Sequence, residues 1–280
     1  MDEYGNHPDN EYDEYEAELN LLDTPQNCPA GRGMAWIKQA WLLLKQALGN
    51  FLLLGFLNIL ILGIVNAGLS AIGLETASNI ITGCLATLLG AGIITAAASQ
   101  AETGEMEVSQ LFEGFRRNTP QLCILVALTT VIGLAIIFLI NQLFPIKTSL
   151  SLLEIQSIET KRITIQIILE MSVNTMLWFT LPLIMLHDIP AIAAIKTSFS
   201  AVIKNILPIT VTSIMFALIL FGLVISGGLI FALIAQAVGK VTATILLTIG
   251  SVLLILSVFI ASLLLVYVSY RDILTDQPME

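Results

Sequence analysis

Six apolar runs, at about 51–74, 77–98, 121–144, 163–186, 207–235 and 241–270, leave this chain few ways to fold. Each is long enough to cross a hydrocarbon layer of about 30 Å as an α-helix, which takes about 20 residues. Apolar residues make up 56% of the 280 and charged residues 12%, against roughly a quarter charged in soluble domains. Nothing is left over for a soluble core. The expectation is an all-α, polytopic membrane domain over 34–273, preceded by an acidic disordered cytoplasmic tail at 1–33 and followed by a short C-terminal tail at 274–280.

Three shorter stretches introduce the hairpins that these runs form. In the first, Ile37, Ala40, Trp41, Leu44 and Leu48 recur at helical spacing, with Lys38, Gln39, Lys45 and Gln46 on the other side. In the third, Ile195, Phe199, Val202 and Ile206 oppose Lys196, Ser200 and Lys204. Such helices suit a lipid surface, with the apolar side inward and the ammonium groups in water. Gly49-Asn50 should end the first, and 111–117 reads as the second. Ile195-Lys196 and Phe199 align with Ile37-Lys38 and Trp41, so the chain reads as three copies of one helix-plus-hairpin unit. Another amphipathic helix is expected over 146–162 on the far face. Pro182 should kink the fourth span, and Gly227-Gly228 is the weak point of the fifth.

Nine acids precede Arg32 with no Lys or Arg among them, so the net charge of −9 resides there. Such a segment is too polar to fold alone. It is either a solvated leader or a docking peptide for a basic protein partner, with Tyr12, Tyr15, Leu19, Leu21 and Leu22 as anchors. Arg32, Lys38, Lys45, Arg116, Arg117, Lys196, Lys204 and Arg271 fall on one side of the spans, against Lys147, Lys161, Arg162 and Lys240 on the other. The positive-inside rule then places both termini in the cytoplasm.

No nucleotide-binding loop, metal-ligand spacing or nucleophile elbow is present. Cys28, Cys84 and Cys123 show no paired spacing. The reading is a non-enzyme without cofactor, metal or nucleic-acid partner. Glu170 is the most informative polar residue, because an ionisable group inside a span costs roughly 2.5 kcal/mol or more unless neutral, hydrated or paired. With Asn174, and Asn141 from the third span, it either lines an outward polar vestibule or is shallow enough to reach water or Lys147. Glu102, Glu105 and Glu107 read as a solvated linker. Trp36, Trp41, Tyr267 and Tyr270 fall near the cytoplasmic boundary as interface anchors. Lys38, Lys45, Arg116, Arg117, Lys196 and Lys204 would form a collar for anionic lipid headgroups.

Gly33 with Trp36-Ile37, Leu111-Phe112-x-Gly114-Phe115, Ser198 with Asn205, and Tyr267 with Tyr270-Arg271-Asp272 together resemble a family of proteobacterial six-span inner-membrane proteins. That family is similar in layout to the YciC-type proteins and to the membrane domain of some glycerophosphodiester phosphodiesterases. The resemblance covers nearly everything after the tail and implies a bacterial inner-membrane location. It carries over no catalytic residue, and the soluble phosphodiesterase barrel is absent. The expected role is a lipid- or partner-binding membrane scaffold or assembly factor. The alternative is a small-solute or ion transporter or channel subunit using the vestibule around Glu170.

Overall fold

A computed structural model describes residues 19–145 and 152–279. The fold is all-helical, and six of its helices are long and apolar enough to cross a membrane. The elements are α1 (Arg32–Gln46), α2 (Leu48–Ala71), α3 (Glu75–Thr103), a 3₁₀ turn (Val108–Phe112), α4 (Glu113–Arg116), α5 (Thr119–Leu143), α6 (Leu152–Met176), α7 (Thr180–His187), α8 (Ala191–Lys204), α9 (Ile206–Val238) and α10 (Lys240–Leu274). The six spans are α2, α3, α5, α6 with α7, α9 and α10.

Several boundaries differ from expectation for identifiable reasons. The α1–α2 break falls at Ala47 (φ −135°, ψ 43°), and Gly49-Asn50 lies in the first turn of α2, where backbone N–H groups have no intrahelical acceptor to lose. The second surface helix is a 3₁₀ turn plus a single α turn. Its start is fixed by a capping box between Glu107 and Gln110, and the segment is docked on α3 rather than floating on lipid. Among the described residues no separate far-face helix precedes the fourth span. Residues 146–151 lie outside the described residues, and α6 runs unbroken from Leu152.

The break in the fourth span comes at 177–179, ahead of Pro182. Pro182 then occupies the first turn of α7, where its missing N–H costs nothing. Ser198 of α8 closes the gap, its hydroxyl donating to the Met176 carbonyl (2.8 Å) and accepting from the Phe179 N–H (3.0 Å). Gly227-Gly228 does not interrupt α9, since hydrocarbon offers the backbone no other hydrogen-bond partner. Gly239, at φ 83°, alone joins α9 to α10.

Packing is uneven along the bundle. Most residues buried on α2 lie toward its start (Phe51, Leu54), on α3 toward its end (Leu88 to Ala98), and on α10 in its second half (Ile260 to Leu274). All three sets belong to the end of the bundle where the described chain termini meet, the closed end. At the opposite, open end the helices separate, and α9 exposes Val224, Leu229 and Leu233.

Two glycines set the tightest contact at the closed end. A Cβ on Gly92 of α3 would lie 2.1 Å from the Leu111 carbonyl oxygen, and one on Gly114 of α4 would lie 2.2 Å from the Leu88 carbonyl oxygen. The α3 backbone and the 107–116 segment therefore touch directly.

Candidate functional site

The last turns of α10 gather the closed end. Asp272, 4% exposed, accepts from Arg32 through Nε (2.7 Å) and again through Nη2, and from the Trp36 indole N–H (2.7 Å). Tyr270 bonds His187 at the end of α7, and Ser269 accepts from the Trp178 indole at 3.1 Å. Tyr267 reaches Glu102 of α3 and accepts from Arg271 at 3.4 Å. Five positions on one helix terminus thus tie α1, α3, α6–α7 and the C-terminal segment together. Glu102 is exposed, as expected, but it belongs to the last turn of α3 and not to a linker.

Three of the four expected interface anchors are therefore internal. Trp36, Tyr267 and Tyr270 are 0% exposed, their polar atoms engaged by protein groups instead of headgroups. Trp41 points outward at 54% exposure, with the Lys45 ammonium 5.7 Å from its ring centre.

Part of the expected tail is also structured. The Leu22 N–H donates to the Leu274 carbonyl (2.9 Å) and the Gln26 N–H to Ile273 (2.8 Å), while Leu21 bridges Thr275. Asn205, at the α8–α9 corner, accepts from the Cys28 N–H (2.8 Å) and donates to the Gln26 carbonyl (2.8 Å). The segment satisfies its backbone on α10 and on Asn205, which is why residues 19–31 hold a fixed path despite their polarity. The C-terminal residues fold back too, with Gln39 donating to the Met279 carbonyl. Residues 1–18, with Tyr12 and Tyr15, lie outside the described residues.

Burial, then the Asp272 charge, pushes the Cys28 thiol up to about 11. The hydrogen bond to Asp272 raises Arg32 in turn. Because only the thiolate is nucleophilic, Cys28 should react with maleimide about three hundredfold more slowly at neutral pH than a free cysteine of pKa about 8.5. In a protein with Cys84 and Cys123 replaced by alanine, the labelling rate should climb with pH until about 11. It should also rise at fixed pH when Asp272→Asn removes the neighbouring charge.

A long groove opens beside this knot. Met34, Lys38 and Trp41 of α1, Leu220 and Leu223 of α9, and Leu254 of α10 are among the residues lining about 720 Å³ of largely apolar space. The exposed face of the amphipathic α1 thus flanks a slot between two spans, with one ammonium group beside it. Nothing in the sequence marked the slot, since leucines facing a groove and leucines facing lipid read alike.

The six collar cations are not equivalent. Arg116 pairs with Glu113 (3.1 Å), Arg117 with Asp188 (3.7 Å), and Lys204 donates to the Pro25 carbonyl (2.5 Å). Lys45 sits over Trp41. Lys38 and Lys196 are exposed and have no partner among the described residues.

The three vestibule residues do not converge. The Glu170 carboxylate accepts from Gln166 (2.8 Å), the Asn174 side chain donates to the Glu170 carbonyl (2.9 Å), and Asn141 is held by Arg162. Glu170 and Asn174 line a recess of about 210 Å³ against α5, beside Thr129 and Gly133 and without Asn141. Lys147 lies outside the described residues.

Comparison with known proteins adds nothing to this geometry. No protein-family model, curated protein or solved structure matches the chain. Among the described residues no cluster of histidine, cysteine and acidic side chains is placed to hold a metal ion.

Proposed function

We propose that this protein is a lipid-binding scaffold of a bacterial inner membrane, related to the six-span family it resembles, with both termini in the cytoplasm. The supporting observation is the apolar slot flanked by α1, α9 and α10, with Lys38 and Trp41 beside it. An acyl chain fits the slot, and an anionic headgroup at the membrane surface meets an ammonium that no described protein group neutralises. Each cation near such a surface contributes about 1 kcal/mol. The transport alternative has weaker support, because the Glu170 recess is small and its carboxylate already has a donor. A protein partner for the acidic residues before Asn20 remains part of the scaffold reading.

Neutralising Lys38 and Lys196 together should weaken association with anionic lipid by about thirtyfold. Neutralising the already paired Arg116 and Arg117 should have a smaller effect. Native mass spectrometry of the purified protein, titrated with phosphatidylglycerol against phosphatidylcholine, measures this. Equal binding of both lipids by the wild-type protein would sink the proposal.

A further inference from the structure

The slot does not end beneath α1. A second apolar cleft of about 440 Å³ between α9 and α10 shares Leu223 and Leu254 with it, so the two form one continuous lane. On α9 the lane runs from Phe216 to Ile234, and on α10 from Leu265 back to Ala243. At 1.5 Å per residue these are lengths of roughly 27 and 33 Å. A single leaflet offers its lipids only about 15 Å of hydrocarbon, half of about 30 Å. Even if α9 tilts by about 40°, the upper end for transmembrane helices, the vertical reach stays near 20 Å. A phospholipid chain of one leaflet would leave the distal part of the lane empty.

We infer that the lane takes an anionic lipid with a single hydrocarbon chain longer than one leaflet, the chemistry of a long polyprenyl phosphate. The inference rests on the lipid-binding reading above and narrows it to one class of occupant. One chain is favoured because the same two helices, α9 and α10, line the lane along its whole length. One negative headgroup is favoured because Lys38 is the only ionisable residue along its described lining. The distal walls carry Gly227, Gly228 and Gly250, and a Cβ on any of them would meet no other atom within 4 Å. Larger side chains there project into open space instead of into a packed interface.

The test is competition in native mass spectrometry with three probes: a polyprenyl phosphate of about eleven isoprene units, farnesyl phosphate and dioleoyl phosphatidylglycerol. The wild-type protein should prefer the long probe over both others by about tenfold or more. The double substitution Gly227→Phe, Gly250→Phe should abolish that preference while farnesyl phosphate still binds, which also reports that the variant is folded. Lys38→Glu should weaken both phosphates. If phosphatidylglycerol binds as well as the long probe, the long-chain assignment is overturned and the lipid-binding reading stands. If no probe binds, both fall. The wild-type chain-length comparison decides the matter even if the double variant cannot be purified.

Discussion

Gly92→Ala and Gly114→Ala should each deplete the folded protein, lowering stability by about 3 kcal/mol, the upper part of the range for overpacking. At each position the new methyl would lie just over 2 Å from a carbonyl oxygen of the neighbouring segment. A side chain can rotate out of the way of an added methyl, whereas a backbone carbonyl in a hydrogen-bonded turn moves only with its turn. The contact is reciprocal, Gly92 facing Leu111 and Gly114 facing Leu88, so relieving one clash separates the same two surfaces as relieving the other. The two losses should therefore add less than fully. Gly68→Ala and Gly133→Ala meet nothing within 4 Å and should change stability by less than about 0.5 kcal/mol. Thermal unfolding followed by size-exclusion chromatography in mild detergent separates the two groups.

Asp272→Ala should cost about 3 kcal/mol, at the lower end of the range for breaking a buried ion pair. The lower end applies because the Arg32 side chain is 34% exposed and can recover part of its hydration, while Asp272 cannot. The buried Trp36 N–H loses its acceptor at the same time. Arg32→Ala should cost at least as much, since it leaves the buried carboxylate with the indole donor but no neutralising charge. The double variant should fall short of the sum, and that coupling, read from a double-mutant cycle, identifies the pair. Additive losses would mean that Arg32 and Asp272 act independently.

The spans were legible in the sequence because about 20 apolar residues leave no folding choice other than a helix across hydrocarbon. The helices α1 and α8 were legible through their 3.6-residue period, although Gln39, expected in water, is buried and Trp41 is exposed. What escaped was the closed end. Tryptophan and tyrosine near a span terminus have the composition of an interfacial belt, yet Trp36, Tyr267 and Tyr270 face partners far away in sequence, which periodicity cannot reveal. The same blindness affected residues 19–31, whose polar composition argued for disorder while their acceptors lay on α10. Several of the residues that suggested a family likeness lie at these junctions. Gly33 lies against Pro208 and Thr212, Gly114 against Leu88, Ser198 bridges the α6–α7 break, and Asn205 and Asp272 hold the N-terminal segment. For the candidate site, Lys38 and Trp41 were named from the amphipathic pattern, but the slot beside them depends on how far α9 and α10 stand apart.

The ion pair between Arg32 and Asp272 also has a consequence in time. A ribosome adding about 5–20 residues per second needs on the order of ten to fifty seconds to travel from one residue to the other. For most of that interval Arg32 and the Trp36 indole lack their carboxylate, even after the first hairpin has been made. Asp272, in the last turn of α10, supplies the clasp. A nascent chain that stops short of Asp272 should keep the segment before α1 loose and within reach of a protease, so synthesis of α10 is what fastens that segment.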